Sequence, residues 1–334
     1  KGRGIFQRGN GVNRHEAIGM FGIVGIIPAQ GGLGFARQGT GGLDPDVDSD
    51  IDGLYDWQDS DAPGFVDSNM DGVDDRFDAD SDGIPNHRDL DTDGDGVFDI
   101  VEAGGFLLDA NGDGRLDGPD TDMDGLRDAI DPDLGNSSLV SQVSDNDGID
   151  DLFDIDDDGD GILTAFEDLD GDGDWVSDDT DGDTLPNYRD ADDDGDGLLT
   201  QFEVADPNND GNPLDARDFD GDTLPDYLDA DDDNDGVLTS FEGSDPNGNG
   251  NPSDARNTDG DALPDYLDAD DDNDGALTIV EQPDPNGDGN PADAVNTDLN
   301  LPNGDMLPNY LDADDDGDGK STRSEDLDSD GDYD

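Results

Sequence analysis

The chain has 334 residues, with 95 Asp or Glu against 14 Lys or Arg and a formal net charge of -81. That imbalance excludes most modes of nucleic-acid binding, which need a basic surface. With 30% hydrophobic and 6% aromatic residues, a core able to offset the ordering entropy of the whole chain is excluded too. Cation binding is the ordering force this composition leaves, because it also cancels the self-repulsion. There is no Cys, and His15 and His87 are the only histidines. Disulfides are therefore excluded, and zinc or copper would find few ligands. Carboxylate oxygens in this number suit calcium, and calcium argues for a place outside the cell, where weak sites fill. The start at Lys1 fits the expectation of a secreted or surface-exposed chain with its targeting peptide removed.

Residues 1–43 differ from the rest. They carry Lys1, Arg3, Arg8, Arg14 and Arg37 against Glu16, a net +4, whereas the remaining 291 residues hold 94 acids and nine basic residues. Within them Ala17–Ala29 reads AIGMFGIVGIIPA, too short to span a bilayer as a helix. Its β-branched and aromatic residues, spaced by Gly19, Gly22 and Gly25, fit an extended β-type segment. Such a strand can fold back on its own chain or insert into the next subunit. The second is the expectation: residues 1–43 form an assembly segment, drawn to a neighbour's acidic body and giving a head-to-tail homopolymer.

Beyond Leu43 the sequence is an array of Asp-rich loops. A calcium ion takes six to eight oxygens, and a twelve-residue loop supplies them from positions 1, 3, 5 and 12 and the carbonyl of 7, with Gly at 6 for the turn. In residues 44–178 the loops are irregularly spaced. One kind, D-x-D-x-D-x-x-x-D/N-x-x-D, starts at Asp48 (with Asp50 and Asp52), Asp67 (Asn69, Asp71) and Asp78 (Asp80, Asp82, Asp89). Similar loops start at Asp109 (Asn111, Asp113), Asp120 (Asp122, Asp124) and Asp168. A second kind ends in Glu, which can close a site with two oxygens. Its members here are Asp91, Asp93, Asp95 with Glu102, and Asp156, Asp158, Asp160 with Glu167.

Residues 179–334 hold four repeats, starting at 179, 218, 257 and 296; the first three are 39 residues apart, and the fourth carries an extra LNLPN. Repeats of this period stack on their neighbours. Each opens with a loop bearing LPxY: Asp179, Asp181, Asp183 and Asp190; Asp218, Asp220, Asp222, Asp226 and Asp229; then Asp259, Asp261 and Asp268. A glutamate-closed loop follows 13 residues after each start: Asp192, Asp194, Asp196 with Glu203; Asp231, Asp233, Asp235 with Glu242; Asp270, Asp272, Asp274 with Glu281. The sixth glutamate-closed loop is Asp314, Asp316, Asp318 with Glu325, and counting back 13 residues from it puts Leu301 where a first ligand should stand. A third pattern, DPNxDGNP or a close variant, starts at Asp206, Asp245 and Asp284. Position 8 of the glutamate-closed loops is apolar at Phe98, Leu163, Leu199, Leu238 and Leu277, and is expected to turn inward and pack on the next loop.

From about residue 44 onward the first kind of loop resembles thrombospondin type 3 repeats. The glutamate-closed kind is similar to EF-hand and bacterial dockerin-like loops. The resemblance implies calcium ions wrapped along an irregular loop solenoid or rod, with short helical turns and few short strands. The cysteines of the type 3 repeats are absent, so calcium would hold the rod alone. Thr184, Thr223, Ala262 and Met306 occupy position 6 in place of Gly, which is expected to weaken those turns. Flanking EF-hand helices are cut to one or two turns in Ile162–Asp168 and Leu198–Ala205 by Gly, Pro and Asp neighbours, so a sensor role is disfavoured.

Tyr188, Tyr227, Tyr266 and Tyr310 read as a small repeating core, as do Trp57 and Trp175. Every carboxylate has dozens of equivalents, which argues against catalysis. Asn136-Ser137-Ser138 fits a glycan acceptor. The expected function is an extracellular calcium-rigidified structural rod assembling into a filament. The alternative is a stalk of a larger adhesin or of a dockerin-bearing secreted enzyme.

Overall fold

A computed structural model describes residues 25–29, 32–36, 47–123, 125–301 and 304–324. The two N-terminal stretches are strands, β1 (Gly25–Ala29) and β2 (Gly32–Ala36), paired antiparallel with Gly25 opposite Ala36 and Ala29 opposite Gly32. The strand expected in Ala17–Ala29 is therefore found at its C-terminal end, and its partner is the segment that follows it in the same chain. His15 and the rest of the basic head lie outside the described residues.

From Val47 onward almost nothing is regular. Among the described residues one α-helical turn, α1 (Asp99–Glu102), stands among single 3-10 turns of three or four residues. The Asp side chains explain why. In the loop at Asp179, Oδ1 of Asp179 accepts the Gly182 N–H at 2.9 Å and Oδ2 accepts that of Thr184 at 3.1 Å. Oδ1 of Asp181 accepts from Asp183 at 2.9 Å, and Oδ1 of Asp183 from Leu185 at 2.7 Å. The loop at Asp218 repeats all four bonds. Such side-chain turns outcompete helix for the backbone donors. The position-6 substitutions do not abolish the turn: Thr184 and Thr223 adopt φ of 91° and 95°, at a cost of about 1–2 kcal/mol each for a side chain in that region.

Position 9 is a clasp. Oδ1 of Asp226 accepts the Phe219 N–H at 2.8 Å, while Oδ2 pairs with Arg217. Asn187 does the same for Thr180, and the buried Thr200 and Thr239 hydroxyls accept from Asp193 and Asp232. Asp226, counted in the ligand pattern from sequence, is thus committed to the backbone and to an arginine.

Successive units are joined by small apolar contacts. Tyr227 packs on Ile162 and Ala205, and Tyr266 with Leu267 packs on Leu198. All four LPxY tyrosines are buried, as expected. Trp57 is buried with Val73 and Phe77, with His87 edge-on to it at 5.2 Å; Trp175 is half-buried and donates to the Thr164 carbonyl at 3.0 Å. The side chain that turns fully inward is position 7, not position 8. Val97, Ile162, Leu198, Val237 and Ala276 are buried, whereas Leu277 is 49% exposed. The position-5 carboxylate accepts the N–H of position 7, as Asp196 does from Leu198 at 2.6 Å, but this bond alone does not bury the side chain, since Leu185 and Leu224 make it in the LPxY loops and are exposed. Position 8 instead lies against the glycine of the third loop type one repeat on. Leu163, Leu199 and Leu238 donate to the carbonyls of Gly211, Gly250 and Gly289 at 3.0, 2.9 and 3.0 Å.

Gly250 has φ of 72°, and a Cβ there would overlap Leu199, whereas Gly221 has φ of 80° with open space around it. Gly221→Ala should therefore cost about 1–2 kcal/mol for φ alone. Gly250→Ala should cost about 1–3 kcal/mol more, through overpacking. Metal-loaded thermal melts of the two variants measure the difference, and equal shifts would deny the inter-repeat contact.

Candidate metal centres

The loop at Asp78 gathers its carboxylates at positions 1, 3, 5, 12 and 14, whereas in the loop at Asp168 the group facing Asp170 and Asp168 is Asp178 at position 11, pushed to about 6 by burial and then by those two charges. One oxygen from each of Asp78, Asp80 and Asp82 lies within 4.8 Å of the others. Asp89 and Asp91 join them: burial raises both carboxyls, and the charges of Asp82 and Asp80 add to it for Asp89, that of Asp80 for Asp91. Asp190 is raised by burial and then by Asp183, Asp181 and Asp179; Asp229 by burial and then Asp222 and Asp220; Asp268 by burial and then Asp261 and Asp259.

The earlier loops follow suit. Asp78, pushed to about 7 by burial and by Asp71, also serves as position 12 of the loop at Asp67, whose Asn69 donates to the Ser81 carbonyl at 2.9 Å. Asp59 and Asp61 stand with Asp50 and Asp52 within 4.8 Å, while Asp48 accepts the Ile51 and Gly53 N–H groups. Asp109 likewise accepts from Gly112, Asp113 and Gly114, and Asn111 donates weakly to Asp113 at 3.4 Å. Asp120 accepts from Gly125 and keeps a buried second oxygen that accepts nothing. Asp122 is exposed, and Asp124 lies outside the described residues.

Two sets were missed in the sequence. Asp59 and Asp61 sit at positions 12 and 14 of the loop at Asp48, a spacing already visible in other loops. Asp145, Asp147 and Asp154 form a further cluster in which Asp154 is pushed to about 6 by burial and then by Asp147 and Asp145. Val143 occupies its position 1, which hid the pattern.

The glutamate-closed loops build a different centre. Asp194, Asp196 and Glu203 converge with Asp232, all four buried, with one oxygen of each within 4.8 Å of the rest. Asp232 is not in their loop. It is position 2 of the next glutamate-closed loop. Asp158, Asp160 and Glu167 take Asp193 in the same way, and Asp272, Asp274 and Glu281 take Asp315. Glu102 stands near Asp95, Asp93 and Asp157, and Glu242 near Asp235, Asp233 and Asp271. Position 2 is Asp in each glutamate-closed loop that follows another, and Thr92 in the first, which follows none. No signal inside a single loop marks this residue; only the comparison of Thr92 with its five counterparts does. The sixth loop is partly described: Asp316 accepts from Asp318, Asp318 is exposed beside Lys320 at 2.9 Å, and Glu325 lies outside the described residues.

Position 1 stands between the two kinds of centre. Asp192 has Asp190 and Asp181 of the preceding loop as its charged neighbours, and Asp270 has both Asp274 and Asp268. Asp91 and Asp156 accept from Gly94 and Gly159 at 3.0 Å, Asp314 accepts from Gly319 at 2.8 Å, and Oδ1 of Asp231 is buried and accepts nothing.

Each junction collects buried oxygens with no donor. Oδ2 of Asp194, Oδ2 of Asp196, both oxygens of Glu203 and both of Asp232 accept no hydrogen bond. The sets around Glu102, Glu167 and Glu242 repeat these six oxygens. Arg217 comes no closer than 4.0 Å to Asp232 and is held by Asp226. Burial first, and neighbouring carboxylates second, push Asp157, Asp193, Asp232 and Asp271 to about 10 and Glu102, Glu167, Glu203 and Glu242 well above the usual range. Buried acceptors this numerous need a cation. The clusters could each hold a metal ion.

Among the described residues no helix is long and apolar enough to cross a membrane. A family model described as BamM C-terminal matches residues 160–217, which run from Asp160 through Glu167 to the end of the first complete repeat. No curated protein matches the chain.

Two outcomes follow from the junctions. Asp232→Ala should remove one ion, the one held with Glu203, whereas Thr92→Val should leave the ion count unchanged. Native mass spectrometry counts them, and an unchanged count for Asp232→Ala would contradict the shared centre. With metal stripped, folding pushes Asp157 and Asp232 to about 10 and Asp196 and Asp235 to about 7, against near 4 in the unfolded chain. The folded chain then binds more protons, so stability is full below the unfolded value and lost as pH rises through 7–10. Near-UV circular dichroism of the stripped chain should gain signal on acidification from about pH 9 to about pH 5; loss of signal would contradict it.

Proposed function

We propose that the chain is an extracellular calcium-binding structural protein, a rod made rigid by ions and assembled head to tail into a filament. The observation that carries calcium is the pair of buried oxygens on each closing glutamate, neither accepting a hydrogen bond, at Glu102, Glu167, Glu203, Glu242 and Glu281. Two free oxygens aimed into an all-carboxylate cluster favour bidentate ligation and a coordination number of six or more. Calcium accepts both; magnesium keeps its waters and prefers near-octahedral geometry. Calcium is plentiful outside the cell, where even weak sites fill, and the proposal places the chain there.

Support for the filament comes from the head. Residues 1–43 carry net +4 against 94 acids and nine basic residues elsewhere. The β1–β2 hairpin leaves each strand one unpaired edge among the described residues. A lone hairpin is marginal in water and gains from a surface. Because β1 pairs with β2 in its own chain, the docking unit in this proposal is the hairpin in place of a single donated strand.

Electron microscopy with and without a chelator, at a pH where the junction carboxyls are ionised, tests the rod: ordered rods that persist there after complete calcium removal refute it. Deleting residues 1–43 should abolish filaments and leave the number of bound calcium ions unchanged; filaments formed without the head refute the assembly reading.

A further inference from the structure

The last repeat looks broken in sequence, because Leu301 falls where a first ligand is needed. The structure follows the repeat start at Asn296, with LNLPN inserted, and not the count back from Asp314. The Thr297 N–H donates to Oδ1 of Asn309 at 2.8 Å, as the Thr258 N–H does to Asp265 at 2.7 Å one repeat earlier. That bond is the clasp between positions 2 and 9, so Thr297 is position 2 and Asn296 is position 1. The Asp305 N–H donates to the Asp298 carboxylate at 3.1 Å, as the Asp261 N–H does to Asp259 at 2.8 Å. That bond joins positions 5 and 3. Asn296 also donates its side-chain amide to the Leu307 carbonyl, matching Asn257 and Leu263. Residues 299–303 are therefore inserted between positions 3 and 5, and every other member of the loop keeps its place.

The inward-facing oxygens survive the insertion. Asp298 is 2% exposed, and its Oδ1 accepts no hydrogen bond. Oδ1 of Asn296 is equally buried and without a donor. Asp305, Asp298 and Asp314 are the charged neighbours of Asp312 at position 12. Leu301 itself is 47% exposed.

We propose that Asn296, Asp298, Asp305 and Asp312, with Asp314 behind them, form a complete calcium site that the insertion bypasses. The assignment rests on reading the loops as calcium sites. A buried carboxylate oxygen aimed into a ring of oxygens, with no donor of its own, needs a cation. Asn at position 1 lowers the charge of the ring by one, and the amide oxygen still serves as a ligand.

Native mass spectrometry of the full chain in excess calcium tests this. Asp298→Ala should bind one ion fewer than the parent, and Leu301→Ala the same number. Removing residues 299–303 should also leave the count unchanged, since the loop closes without them. An unchanged count for Asp298→Ala, or a lost ion on removing 299–303, would overturn the site while leaving the calcium reading intact. A parent chain that binds no calcium would overturn both. If Asp298→Ala fails to fold, Asn296→Ala gives the same readout, with one ion lost as the expected result and none lost as the contrary one.

Discussion

Carboxylates buried together repel one another, and the architecture is arranged around that repulsion. At the junction of Glu203 and Asp232, six oxygens without hydrogen bonds share a space from which water is largely removed. Each of these groups alone would be expensive to bury charged, and together they push one another toward protonation. In most folds such a cluster would be an error. Here it recurs, and the apolar contacts around it are too small to compensate. The cores are groups of three to five buried residues, such as Ile162, Ala205 and Tyr227. A cation at the centre of each cluster would offset that penalty and tie the surrounding carboxylates together.

The same geometry decides how order spreads. A loop that closed its own site would fold alone. These glutamate-closed loops take their fourth residue from the next unit, and an LPxY tyrosine from the unit beyond packs beside the centre. Tyr227 has Asp193, Asp160 and Glu167 as charged neighbours, and Tyr266 has Asp232 and Glu203. Each centre is therefore a joint between successive units. Stability in such a chain is a sum of nearest-neighbour terms, and a metal ion held at a joint would add to each of them.

Much of this was legible. The loops, the 39-residue period, the tyrosine core and the single helical turns followed from spacing and from Gly, Pro and Asp punctuation. What stayed hidden was non-local. Asp232 lies in a run of aspartates, and no pattern within one loop separates the residue that reaches backward from those that face its own ion. Val143 and the inserted residues 299–303 hid intact clusters because a residue count is rigid, whereas the backbone can accommodate a substitution or loop out an insertion. Positions 7 and 8 were exchanged because both are apolar, and no pattern within one loop says which of the two packs against a neighbouring unit. The apolar head was legible as β-type, but its pairing with the following segment depends on Gly32–Ala36, which composition alone does not distinguish.

The central claim is that calcium at a shared centre joins one unit to the next. Locating the ions in a calcium-loaded sample, by anomalous diffraction or high-resolution electron microscopy, tests it most directly. The account predicts an ion within about 2.3–2.6 Å of oxygens from both Glu203 and Asp232. Ions confined to single loops, with Asp232 hydrogen-bonded elsewhere, would contradict it.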